Sequence, residues 1–160
     1  MTRLLVVCLG NICRSPVAEG ALRARIAAAG LADVIEVDSC ATGDWHVGHP
    51  PDPRAIRSAA GHGVDIAGLR ARTLDEADYR EFDVLLCADA STLRIVCGRR
   101  PADSTAEIAR FLDWAGQGAG DVPDPYTGDA AGFETVWQLV DAAAAAVVAR
   151  YRPGAPAVRA

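Results

Sequence analysis

Leu4-Leu5-Val6-Val7-Cys8-Leu9-Gly10-Asn11-Ile12-Cys13-Arg14-Ser15-Pro16 is the stretch that decides the fold. Its first five residues form a continuous apolar run, the pattern of a strand buried on both faces of a parallel sheet. Gly10 and Asn11 break the run, and both tolerate the positive φ that a tight turn often needs. Ser15 reads as an N-cap and Pro16 as part of a first helical turn. Ala18, Leu22, Ile26 and Ala29 follow at helical spacing, and Gly30 stops the helix. The unit is strand, tight loop, helix.

Outward from this unit, residues 34–40 read as a second strand and 42–51 as a Gly/Pro-rich loop. Asp52 and Pro53 open a helix that runs to about residue 62. Thr73-Leu74-Asp75-Glu76 fits a capping box for a short helix. Residues 82–88 read as a third strand, 91–98 as a helix, and 106–112 as a fourth strand. A loop rich in Gly, Asp and Pro spans 116–132. Phe133, Val136, Trp137, Val140, Ala144, Val147 and Tyr151 then share one face of a closing helix. Strands alternating with helices predict a single α/β domain, residues 1–152, with a four-stranded parallel sheet covered on both faces. Residues 153–160 read as a flexible tail. In such folds ligands bind at the carboxyl ends of strands, near a topological switch point. The loop after the first strand and Asp89 at the end of the third both belong there.

Composition narrows the function classes. The 160 residues suit one domain, and half of them are apolar, enough for one core. The net charge of −5 and the lack of a basic cluster argue against nucleic acid as a partner. All positive side chains are Arg, so no Lys is available as nucleophile or phosphate ligand. No apolar run approaches a membrane span, and the first run is too short for a signal peptide. The expectation is a cytoplasmic protein without membrane insertion. Five cysteines, an odd number, argue against a disulfide framework, and no Cys-x-x-Cys pair suggests a metal. His46 and His49 read as solvated loop residues, so no metal site is expected.

The segment from Cys8 to Pro16 can carry chemistry. A loop between strand and helix turns successive backbone N–H groups inward as an anion nest, and the helix end adds its positive dipole. Leu9, Gly10, Asn11, Ile12, Cys13 and Ser15 would make up that cradle. Arg14 can grip two phosphate oxygens with its planar fork. Cys8 points at the same spot, where cationic and dipolar surroundings favour its thiolate. Ser15 can donate a hydrogen bond to that thiolate. A thiolate beside a bound phosphate monoester is placed for in-line attack. Asp124-Pro125-Tyr126, far along in the long loop, supplies a carboxylic acid that can protonate a leaving phenolate. Stiff Pro125 helps aim Asp124, and Tyr126 offers a wall to a flat ring.

These residues resemble the low-molecular-weight protein tyrosine phosphatase family over roughly residues 4–151. The pattern Cys-x-Gly-Asn-x-Cys-Arg-Ser-Pro is matched from Cys8 to Pro16, and the acid motif at Asp124 to Tyr126. The resemblance implies a Rossmann-like sheet of the phosphotyrosine phosphatase I type and hydrolysis of phosphotyrosine through a phosphocysteine. Cys8, Arg14 and Asp124 are the implied catalytic residues. Ser39 and Asn11 are implied to brace the phosphate loop, Asp89 to orient Arg14, and Trp45 to form the second wall of the cleft. No cofactor is implied. The implied partner is a phosphotyrosine protein, such as a bacterial tyrosine kinase, met by a monomer. Two departures stand out. Thr127 replaces a tyrosine that many members carry, and Leu69 replaces a histidine, which would leave one brace of Asn11 missing.

Two alternatives share this fold and loop. An arsenate reductase needs two further cysteines, for which Cys87 and Cys97 are the candidates. Cys87, however, lies in an apolar strand expected to be buried. A phosphoarginine phosphatase tends to carry Thr where this chain has Ile12, and isoleucine favours a phenyl ring over a guanidinium.

Overall fold

A computed structural model describes residues 1–118 and 120–151. The strands β1 (Thr2–Cys8), β2 (Ile35–Ala41), β3 (Val84–Cys87) and β4 (Glu107–Arg110) form one sheet in the order β2-β1-β3-β4. All pairings are parallel, with Cys8 opposite Ala41, Val7 opposite Cys87, and Cys87 opposite Arg110. The helices are α1 (Arg14–Ala28), α2 (Pro53–Gly61), α3 (Asp78–Glu81), α4 (Ala90–Gly98), α5 (Phe111–Trp114) and α6 (Ala130–Ala149). The four-stranded parallel sheet flanked by helices matches the expectation. The fourth strand is shorter than read because Phe111 and Leu112 turn into α5 instead of extending it. The tail reading for 153–160 lies outside the described residues.

Side-chain alternation divides the sheet into two faces. Leu4, Val6 and Cys8 join Val84 and Leu86 on the face that carries α1, α5 and α6. Leu5, Val7, Leu85 and Cys87 lie on the other, against Tyr79 and Phe82 around α3 and Val96 of α4. The β1 run from Leu4 to Val7 is buried in full, each side chain stabilising the fold by about 1.5–3 kcal/mol relative to exposure. That is why its apolar residues are continuous and not alternating.

Asp52 caps α2 as read, accepting from the Arg54 amide with Pro53 in the first turn. The other caps differ from the reading. Cys13 is the N-cap of α1 and makes no side-chain cap bond, while Ser15 sits inside the first turn. Its hydroxyl has turned toward Cys8 instead. Thr73 caps nothing, because it is drawn into a parallel bridge with Ala41 beside β2. The turn into α3 is held by Asp78, which accepts from the Asp75 amide at 2.8 Å. Asp129 caps α6 through the Gly132 amide, so the long loop ends earlier than expected.

The closing helix also corrects the expectation drawn from apolar runs. By length and composition α6 could cross a membrane. Its buried stripe of Phe133, Val136, Trp137, Val140, Ala144 and Val147 is instead packed in the core with α1 and α2. Tyr151, on the same face beyond the helix, is half-buried. Ring stacking of Trp137 on His62 at 4.7 Å, with the His62–Glu134 contact at 2.8 Å, ties α6 to the end of α2.

The chain leaves β1 toward β2 on one side and returns to β3 on the other. The direction therefore switches between β1 and β3, and a crevice opens at their carboxyl ends. Cys8 ends β1 there, and Asp89 follows β3.

Candidate active site

The loop after β1 folds back over the Cys8 sulfur. The Asn11 amide donates to Sγ at 3.2 Å, and the Ser15 hydroxyl lies 2.9 Å from it. Asn11 has φ 57, which among the described non-glycine residues no other shares. Gly10, expected to do the same, has no positive φ; a side chain there would press against the His46 ring, 3.1 Å from its Cβ position. The loop is pinned from two sides. Thr42 and Gly43 donate to the Cys8 and Leu9 carbonyls, and Asp52 to that of Ile12, at 2.8–2.9 Å.

The Asn11 side chain is 3% exposed and fully engaged. Its Nδ2 donates to Ser15 Oγ at 2.7 Å and to Ser39 Oγ at 2.9 Å. Its Oδ1 accepts from the Arg72 amide at 3.1 Å. The brace expected to be missing with Leu69 is thus supplied by backbone. Arg72 itself is anchored by Asp38 and Asp78 at 3.0 and 2.9 Å. Ser39 faces α1, on the same side of β2 as Ile35 and Val37, and donates to Glu19 at 2.7 Å. Burial pushes the Glu19 carboxyl above its ordinary value, against the hydrogen bond from Ser39 and the charge of Arg23.

Arg14 is 4% exposed and reaches across the switch point. Its Nη1 donates to Asp89 Oδ2 and to the Val122 carbonyl. Asp89 also caps α4, accepting from the Thr92 amide at 2.7 Å. Burial opposes both charges. The hydrogen bonds outweigh it, holding Arg14 above and Asp89 below their ordinary values. Nη2 lies 3.7 Å from Asp124 Oδ2, on the cleft side.

Cys8, Leu9, Gly10, Ile12, Cys13 and Arg14 floor a cleft of about 130 Å³, and Trp45, His46, Asp124 and Tyr126 rim it. Asn11 and Ser15 lie behind this floor and shape it from below. Trp45 and Tyr126 are exposed on the rim; Trp45 lies back over Gly43, where a Cβ would fall 1.9 Å from the indole. Asp124 is 45% exposed and directed by its own loop, its Oδ1 accepting from the Tyr126 amide at 3.0 Å. The other acids of that loop are engaged elsewhere. Asp121 holds Arg110 and the Ala90 amide, and Asp129 caps α6.

A family model described as "Low molecular weight phosphotyrosine protein phosphatase" matches residues 3–152. The chain belongs to this family. The Schizosaccharomyces pombe low molecular weight phosphotyrosine protein phosphatase is 42% identical over 142 residues, 87% of this chain and 90% of that one. A protein tyrosine phosphatase from Entamoeba histolytica, solved with Hepes in its active site, superposes with a TM-score of 0.87. It is 28% identical, over 94% of this chain and 96% of that one. Vibrio vulnificus Wzb in complex with benzylphosphonate superposes at 0.80 with 29% identity, over 92% and 97%. Membership in the low molecular weight phosphatase family makes this chain an enzyme of phosphotyrosine chemistry.

Neither alternative is favoured. Cys87 is fully buried on the sheet face opposite Cys8, and burial pushes its thiol up to about 12. A side chain that alternates to the far face cannot relay oxidation from Cys8 without breaking β3. Ile12 lines the cleft with its apolar side chain. Among the described residues no three His, Cys, Asp or Glu side chains are grouped to hold a metal, and the His46 and His49 rings stand 6.0 Å apart.

Four residues of the site were not read from the sequence. His46 rims the cleft, 6.3 Å from the Tyr126 ring, and its place next to Trp45 in the same loop was the available signal. Glu19, Arg54 and Arg72 reach the site through partners distant in sequence, and no local pattern marks them.

Proposed function

We propose that this protein hydrolyses phosphotyrosine in proteins, with Cys8 as nucleophile, Arg14 as phosphate ligand and Asp124 as general acid. The observation that carries the reading is convergence. Cys8, Arg14 and Asp124 come from three distant parts of the chain and meet in one small cleft with aromatic walls. The backbone of residues 9–13 and the start of α1 would cradle the phosphate, with Ser15 behind it supporting the sulfur. The Cys8 thiolate attacks phosphorus, the bond to the tyrosyl oxygen breaks, and Asp124 gives that oxygen its proton. Water then attacks the phosphocysteine and the Asp124 carboxylate takes a proton from it. The S–P bond breaks, releasing inorganic phosphate and regenerating the thiolate, which the Ser15 hydroxyl and Asn11 amide are placed to receive. Arg14 and the loop dipoles stabilise the equatorial oxygens throughout.

The aryl and anion ligands of the similar structures support this use of floor and walls. The partner is a phosphotyrosine protein, for which a bacterial tyrosine kinase has the right chemistry. A site completed within one chain supports a working monomer, and five unpaired cysteines support a reducing, cytoplasmic setting. The reaction uses no cofactor. Phosphotyrosine peptides should be turned over far faster than phosphoserine peptides of the same sequence, because a seryl phosphate is too short to reach Cys8. Equal rates on the two would sink the reading.

A further inference from the structure

We propose that Arg54 is a positioning residue for the general acid, strapping the loop that carries Asp124 to the phosphate loop; this rests on the reading of Asp124 above. Arg54 stands in the first turn of α2 and is gripped by the cap residue before it. Its Nε and Nη2 donate to the two Asp52 carboxylate oxygens at 3.0 and 2.9 Å. Those bonds hold the Asp52 carboxyl below its ordinary value. The same guanidinium reaches 72 and 74 residues along the chain. Nη2 donates to the Tyr126 carbonyl at 2.8 Å and Nη1 to the Gly128 carbonyl at 3.0 Å. Its face lies over the Phe133 ring at 4.7 Å and nearer the edge of contact with Tyr126 at 5.9 Å.

Both ends of this strap lead to reacting groups. Asp52 donates its amide to the Ile12 carbonyl at 2.8 Å, so the cap of α2 is bonded directly to the phosphate loop. Tyr126, whose carbonyl Arg54 holds, gives its amide to Asp124 Oδ1 at 3.0 Å. Residues 125–128 close as a turn through Gly128 N–H and the Pro125 carbonyl at 2.9 Å. At its other end the acid loop is tied through Val122 to Ala88, the residue after β3, and to Arg14. Without Arg54 the downstream half of the loop, with an exposed Asp124, would keep few ties to the cleft. A planar fork that satisfies two carbonyls and a carboxylate at once is a task only Arg performs.

The test separates this role from general support. Phenol needs a proton on leaving, whereas para-nitrophenol departs readily as the anion. Asp124→Asn should therefore lower kcat/KM much more for phenyl phosphate than for para-nitrophenyl phosphate, by about 10² to 10⁴-fold. Arg54→Met keeps an apolar stem over Phe133 and removes the donors. It should open a gap of the same kind but smaller, roughly 10 to 10²-fold, as expected of a reacting group misplaced by about 1 Å. The inhibition constant of inorganic phosphate should not change, since Cys8, Arg14 and the nest are intact. In Asp124→Asn, adding Arg54→Met should not widen the gap further. Arg54→Lys, which keeps charge and one donor, should fall between wild type and Arg54→Met, and it decides alone if the methionine variant does not fold. Equal loss on both substrates, weakened phosphate binding in parallel, or additive gaps in the double variant would overturn the proposal. If Asp124→Asn opens a gap and neither Arg54 variant does, the strap alone is wrong. If Asp124→Asn opens none, the acid assignment fails and the strap falls with it.

Discussion

Replacing Asn11 tests the scaffold on which the site depends. Its side chain makes three hydrogen bonds, to Ser15, Ser39 and the Arg72 amide, in a place 3% exposed. At about 0.5–1.5 kcal/mol net for each, their loss amounts to roughly 1.5–4.5 kcal/mol. The backbone adds a second contribution, because φ is 57. Alanine in the left-handed region costs about 1–2 kcal/mol, which glycine avoids. Glycine gives back about 0.5–1 kcal/mol through its greater freedom when unfolded. Asn11→Gly should thus lose about 4 kcal/mol, and Asn11→Ala roughly 0.5–1 kcal/mol more. Urea unfolding followed by tryptophan fluorescence measures both, with an unchanged slope required for the comparison. Phosphate inhibition should weaken in both variants, since the nest loses its brace. Midpoints equal to wild type would mean that the network carries no stability. An alanine variant more stable than the glycine one would mean that the loop is not strained at this position.

Three further outcomes follow from the same geometry. Asp89 is held below its ordinary value, so the stability it contributes is complete above about pH 4 and lost as pH falls through its lower folded value. Asp89→Asn should cost roughly 1.5–3 kcal/mol at pH 7, and the difference from wild type should shrink by pH 3, read from denaturant midpoints. Mild peroxide should inactivate the enzyme reversibly by oxidising Cys8 to a sulfenic acid that Cys13, lining the same cleft, traps as a disulfide. In Cys13→Ser the untrapped sulfenic acid is carried on to sulfinic acid by further peroxide, so dithiothreitol should restore little activity, and full recovery would remove Cys13 from this role. Burial pushes the Cys13 thiol up to about 12, so in the reduced enzyme alkylation at neutral pH followed by peptide mapping should leave Cys13 unmodified; it reacts only with a sulfenic sulfur formed beside it in the same cleft.

What was legible in the sequence was what neighbouring residues determine. The buried run before Cys8, the turn at Asn11 and the Asp52-Pro53 cap carry their meaning within a few positions, and each lies where it was read. The failures share a cause: a tertiary partner outbid the local one. Ser15 would suit an N-cap, but its hydroxyl faces a sulfur 2.9 Å away. Thr73 would suit a capping box, but the edge of β2 takes its backbone. The buried stripe of α6 was legible from its spacing, but the overall apolar length was not, because the outward face is largely alanine and passes for a span. The roles proposed for Cys8, Arg14 and Asp124 could be framed from sequence because their types and order match a family pattern. Arg54 and Glu19 were not, since an arginine near a helix start or a glutamate within a helix is ordinarily solvated. Their roles exist only where loops tens of residues apart meet.

The central claim is that phosphate passes through the sulfur of Cys8, and trapping tests it most directly. Asp124→Asn should slow hydrolysis of the intermediate more than its formation from para-nitrophenyl phosphate. Rapid mixing of that variant with the substrate should release a burst of para-nitrophenol equal to the enzyme sites. Acid quenching and mass mapping should then place one phosphate on the peptide that contains Cys8, and none in Cys8→Ser. A burst that survives Cys8→Ser, or phosphate found on any other residue, would contradict the account.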